Sequence, residues 1–413
     1  MIKYDKHILN NGLRVIVHPD SSTPMVAVNV CYDVGSRDED PDKTGFAHLF
    51  EHLMFGGSIN IPSYDGPLQK VGGDNNAFTT SDITNYYLTL PKENIETGFW
   101  LESDRMLELA FSAESLEIQR SVVIEEFKQR YLNQPYGDIS LLLKELAYKV
   151  HPYRWPTIGK EISHIEKATL CDVKEFFFKH YAPNNATLVV AGDIKSDTAF
   201  RFAEKWFGEI PHRDVPPKNL PVEPVQTSKR FLEVERKVPA NALYMAFHMD
   251  NRLGPDYHAT DLVSDILSNG KSSRLHKKLV NEKRLFNELD AYISGDSDAG
   301  LFIVSGKLTP DTDHQTAETA VLNELHRLSN ELIPERELEK VKNKVESNLV
   351  YGEINYLNKA MNLASFEILG NASLINQQVD FYRAVTKEDL RKVATQIFTP
   401  ENCSVIHYHS KKD

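Results

Sequence analysis

Valine-rich stretches with loose alternation of apolar and polar positions open the chain at Leu13–His18 and Met25–Tyr32. They predict two strands joined by a turn at Pro19-Asp20-Ser21-Ser22. Ser36–Lys43 is charged, contains a proline and predicts a loop. The spacing turns helical over Gly45–Phe55 and stops at Gly56-Gly57-Ser58. Thr84, Tyr86, Tyr87 and Thr89 predict a strand over Asp82–Leu90. Helical patterns follow over 94–110 and 114–130, then a strand at Leu188–Ala191 and a helix at Thr198–Phe207. Beyond a break the texture repeats: a strand at Leu243–His248, then helices at Tyr257–Leu267 (ended by Asn269-Gly270) and Ser273–Val280. A strand at Leu301–Gly306 and helices over 313–329 and 335–349 come next. Leu363–Phe366 is largely apolar within another helical stretch, and Val405–Tyr408 reads as a late strand.

The break is the run PHRDVPPKNLPVEPVQTSKR, which begins at Pro211 and carries five prolines. Such a segment reads as a linker. It predicts an N-terminal domain over 1–215 and a C-terminal domain over 216–413. The same coarse order of strands and helices in both halves predicts an α+β fold built on a duplicated unit. Two unrelated α/β domains are the other reading of the pattern.

Composition narrows the function. A chain of 413 residues is comfortable for two domains with separate cores. Asp plus Glu total 59 against 47 Lys plus Arg, a net charge of -12, which argues against a nucleic-acid partner. Cys31, Cys171 and Cys403 are scattered and make neither a disulfide framework nor a thiolate metal site. No window reaches the length of a membrane-spanning segment, so no membrane insertion is expected. No leader is visible, so the expected location is cytoplasmic, or periplasmic if a leader has been removed.

The chemistry concentrates in His48-Leu49-Phe50-Glu51-His52. At about 100° per residue, His48 and His52 lie about 40° apart and share a helix face. Glu51 lies about 60° from His48 on the other side. Two imidazoles can converge on one ion while a carboxylate leans over the same place. Two neutral imidazoles and a carboxylate suit zinc and leave a fourth position for water. A third ligand must come from elsewhere. The helical stretch Glu117–Lys128 carries Glu125 and Glu126, which point about 100° apart, and helix geometry does not choose between them.

LNNGLRVIV, GFAHLFEHLMFGGS and GGDNNAFTTSDITNYY together resemble the pitrilysin/insulinase family of inverted-motif HxxEH zinc metallopeptidases. The likeness is to the shorter branch that includes mitochondrial processing peptidase and its bacterial relatives. It implies two tandem homologous α/β-sandwich domains forming half of a clam-shell peptidase, with one Zn2+ per chain. It makes Glu51 the general base and Glu126 the third ligand beside His48 and His52. The family's first glutamate on that helix falls on Gln119, which could still orient a ligand by hydrogen bonding. Asn76, Ala77, Phe78 and Thr79 match a strand that pairs with extended peptide substrate. Self-sufficient members carry an arginine and a tyrosine that stabilise the oxyanion. Those positions hold Val280 and Asn287 here. The resemblance therefore implies a metal-bearing subunit whose homologous partner supplies both groups, or else a homodimer with an altered oxyanion site. The expected activity is endopeptidase cleavage of oligopeptides or unfolded segments. Precursor or targeting-peptide processing, and a non-catalytic core-type scaffold, are the alternatives.

Overall fold

A computed structural model describes residues 1–411. The fold is α+β, as expected, and divides into two compact units. The first comprises Met1–Gln129, Trp155–Leu220 and Val350–Gln377. The second comprises Arg130–Arg154, Pro221–Leu349 and the chain from Gln378 onward. Among the described residues, no helix is long and apolar enough to cross a membrane.

The first unit holds a six-stranded sheet of β1 (Asp5–Ile8), β2 (Arg14–Pro19), β3 (Met25–Tyr32), β4 (Asp74–Thr79), β5 (Thr84–Pro91) and β6 (Ala186–Gly192), in the order β1-β2-β6-β3-β5-β4. Only β2 and β6 run parallel. The central strands β3 and β6 are buried almost throughout, which explains their unbroken apolar character. On one face Ile16, Ala27, Cys31, Val189 and Ala191 pack against Ala360, Leu363 and Ala364 of the helix Tyr356–Ile368. On the other, the helix Ile95–Leu107 brings Gly98 against Val28 and Leu88, so closely that a side chain there would touch both.

The second unit holds β7 (Arg230–Arg236), β8 (Ala242–His248), β9 (Phe286–Ile293), β10 (Leu301–Leu308) and β11 (Cys403–Ser410), in the order β7-β11-β8-β10-β9. Setting β1 aside, the two orders correspond strand for strand, and the parallel pair of the second sheet, β7 and β11, matches β2 and β6. Helices Tyr257–Ser268, His314–Asn330 and Lys387–Ile397 cover one face. Leu143 and Ala147 of the helix Ile139–Ala147 pack on the other, against Ala242, Tyr244, Ala246 and Ile406.

The units are thus discontinuous, whereas the linker pattern predicts contiguous halves divided at 215/216. Each sheet has a second apolar face that needs cover. In each unit that cover comes from a segment of the opposite half of the sequence. Two helical expectations also change in detail. The stretch over 114–130 is an α-helix from Ala113 to Phe127 and then a π-helical turn, Lys128–Leu132. The expected Ser273–Val280 helix is a π-helical segment at His276–Glu282.

The helix Leu170–His180 supports the site. Phe176 and the following Tyr181 stack on Phe50, with ring centroids 5.2 and 5.0 Å away. It starts with a capping box in which Thr169 and Asp172 satisfy each other's backbone N–H. Thr169→Ala is expected to cost about 1 kcal/mol in denaturant unfolding. An unchanged midpoint would show that the cap contributes nothing.

Candidate metal centre

The helix Phe46–Leu53 packs Phe46, Ala47, Leu49, Phe50 and Leu53 into the core, which turns His48 and His52 to the opposite side. It begins at Gly45, whose φ of +91° is the left-handed conformation that favours glycine. A side chain there would also strike the Ile158 carbonyl. No local side chain caps this helix. Instead Glu39 reaches in from the preceding loop and accepts from the N–H groups of Gly45 and Ala47, both at 2.9 Å, and from the Trp155 indole at 3.0 Å. Burial pushes the Glu39 carboxyl up to about 8, against the opposing pull of those donors. Tyr86 adds a hydroxyl bond to the Phe50 carbonyl at 3.2 Å.

The helix Ala113–Phe127 brings Glu126 to the two imidazoles. Its Oε2 lies 3.7 Å from His48 Nε2 and 3.5 Å from His52 Nε2. The rings stand nearly perpendicular, with centroids 4.9 Å apart. One donor atom from each of the three residues lies within 4.8 Å of the others, and no second such group occurs among the described residues. Ligands about 2.0–2.1 Å from a tetrahedral zinc ion would be roughly 3.3 Å apart, so this donor set fits such an ion with small adjustment. Glu125 turns away and pairs with Lys128 at 2.6 Å in an exposed setting. Gln119 lies half-buried on the same helix.

Glu51 lies beside this group, and Thr79 Oγ1 donates to its Oε2 at 2.6 Å. Asn76, Ala77, Phe78 and Thr79 are on β4, the edge strand, opposite Tyr87, Tyr86, Asn85 and Thr84 of β5. Val280 and Asn287 fall in the second unit. Val280 packs half-buried against the apolar core, and Asn287 donates to the Leu308 carbonyl at 3.0 Å. Neither offers a guanidinium or a phenol. Pattern reading of the sequence missed Glu39, Trp155 and the side-chain bond of Thr79. The only signal for Glu39 was an acidic residue in a loop, and its partner Trp155 is far away in the chain.

Residues 14–160 match the model for Insulinase (Peptidase family M16), and residues 167–345 match that for the Peptidase M16 inactive domain. The zinc protease PqqE of Helicobacter pylori is 31% identical over 348 residues, covering 82% of this chain and 78% of that protein. The chain belongs to peptidase family M16. Another M16 relative, the mitochondrial-processing peptidase subunit beta of Saccharomyces cerevisiae, is 26% identical over 364 residues, 83% of this chain and 77% of that one. In three dimensions, a crystallised protease from Helicobacter pylori superposes with a TM-score of 0.94 at 27% identity, over 99% of this chain and 100% of the other. The M16 segment described as inactive contains both Val280 and Asn287.

Proposed function

We propose that this M16 chain is a zinc-dependent endopeptidase acting on oligopeptides or unfolded segments. The observation that carries the reading is the convergence of His48, His52 and Glu126, with Glu51 held beside them by Thr79. The two imidazoles and the Glu126 carboxylate would hold the ion. Bound there, zinc would supply Lewis acidity for the scissile carbonyl and for a water molecule. Glu51 takes the proton of the attacking water and passes it to the leaving amine. Edge strand β4 offers main-chain groups to an extended peptide, which positions many sequences without a deep side-chain pocket.

The oxyanion groups come from outside this chain. A homologous partner subunit supplying an arginine and a tyrosine is the reading we adopt. The yeast relative, named as a subunit, supports it, as do Val280 and Asn287 at the corresponding positions. A homodimer with a weakened oxyanion site is the competing arrangement. Processing of basic precursor segments is the narrower substrate reading, favoured by the likeness to the yeast processing-peptidase subunit and by the net charge of -12.

The test combines metal analysis with hydrolysis of a quenched fluorescent peptide set, by the chain alone and mixed with a homologous chain that carries the missing pair. The expected result is about one zinc per chain. Little cleavage alone and a large gain on mixing are expected. Glu126→Ala should strip most of the zinc. A chain that takes up no zinc would sink the proposal, and full activity alone would remove the need for a partner.

A further inference from the structure

We infer that Thr79 is a positioning residue for the general base, an inference that rests on the function proposed above. Thr79 ends β4, and its hydroxyl meets the Glu51 carboxylate at 2.6 Å, the length of a charge-assisted O–H···O bond. A glutamate side chain loses roughly 1.5–2 kcal/mol of rotamer freedom when it is fixed. A base that must meet a water within about 3 Å gains from having that freedom removed beforehand.

Both ends of this bond are anchored by one short segment, Gly35–Glu39. Directly after Thr79 the chain turns back to β5, with Thr80 N–H donating to the Ile83 carbonyl at 2.8 Å. Ser36 N–H then donates to the Thr80 carbonyl at 3.2 Å, and Arg37 N–H to the Ser81 carbonyl at 2.9 Å. The Arg37 guanidinium pairs with Asp82 at 2.9 Å. Gly35 lies so close to this turn that a side chain there would collide with the Ser81 carbonyl. Two residues beyond Arg37, Glu39 grips the start of the helix that carries Glu51. The segment therefore fixes strand end and helix start in one frame, and Thr79 closes that frame onto the base. The same residue also lies on the edge strand proposed to receive substrate, so peptide docking and base alignment share one rigid element.

The experiment compares Thr79→Val, which removes the hydroxyl at nearly constant shape, with Thr79→Ser, which keeps it, in the assembled enzyme. Thr79→Val should lower kcat by about 10- to 100-fold, the range of a lost hydrogen bond to a charged group. KM and zinc content should stay unchanged. Thr79→Ser should remain within about threefold of the wild type, since the bond persists. In a Glu51→Gln background, Thr79→Val should add almost nothing, because the group it positions is gone. Crystals of the zinc-free proteins give a readout independent of activity: one Glu51 rotamer in the wild type and a spread of rotamers in Thr79→Val. Unaltered kcat and a single rotamer in Thr79→Val would overturn the inference, as would an equal loss in Thr79→Ser. A fully active Glu51→Gln enzyme would instead overturn the function on which it rests.

Discussion

Glu51→Gln lowers kcat for peptide hydrolysis by about 10²- to 10⁴-fold, the usual contribution of a positioned general base, while the chain still takes up zinc. The amide matches the carboxylate in shape and can accept from the Thr79 hydroxyl through its oxygen, so the local structure is kept. His48, His52 and Glu126 are untouched, which keeps the metal donors in place. What is lost is the ability to accept a proton. Measuring kcat and zinc content on the same preparation separates these effects. Retained activity would exclude Glu51 as the base, whereas joint loss of zinc and activity would place it among the groups that hold the ion.

The largest stability effect is expected at Glu39. Glu39→Ala leaves the Gly45 and Ala47 N–H groups without their acceptor in a buried place, though Trp155 keeps its bond to the Ser36 carbonyl. Each orphaned donor costs about 1–3 kcal/mol, so a loss on the order of 3 kcal/mol or more is expected in denaturant unfolding. Zinc affinity should fall with it, because the helix that frays carries both histidines. The same residue gives a pH signature. Its folded pKa of about 8 stands above the ordinary 4.5, so the folded state holds a proton that the unfolded state releases. That contribution is fully present below pH 4.5 and is lost as pH rises through 8. Wild-type thermal stability should therefore carry a downward component across this window, and Glu39→Ala should lack it. A stability equal to wild type at all pH values would show that the cap is dispensable.

Much of the candidate site was legible because it is local. His48, Glu51 and His52 depend only on the turn of one helix. Glu125 and Glu126 were not separable that way, since the choice depends on which face of their helix meets another element. Glu125 is drawn outward to Lys128, and Glu126 lies against the histidines. The same contrast runs through the fold. Strands β3, β5, β6, β8 and β10 announce themselves through buried valines, aromatics and leucines. Strand β1 is exposed at every position and carries no alternation to find. Strand β9 buries Phe286, Leu289 and Ala291, a spacing that breaks the strict alternation of a strand. Glu39 and Thr79 act through partners far along the chain or on another element, and no periodicity encodes such pairs.

The cover of the first sheet by the helix Tyr356–Ile368 sets an order of events during synthesis. Every strand of that sheet has been synthesised by Gly192, yet the helix that hides its second apolar face begins only at Tyr356. At roughly 5–20 residues per second, that face waits on the order of ten seconds or longer for its cover. During this interval Ile16, Ala27, Val189 and Ala191 are open to other nascent chains and to chaperones. A stop or frameshift between Gly192 and Tyr356 would leave His48, His52 and Glu126 encoded and the unit that bears them without a finished core.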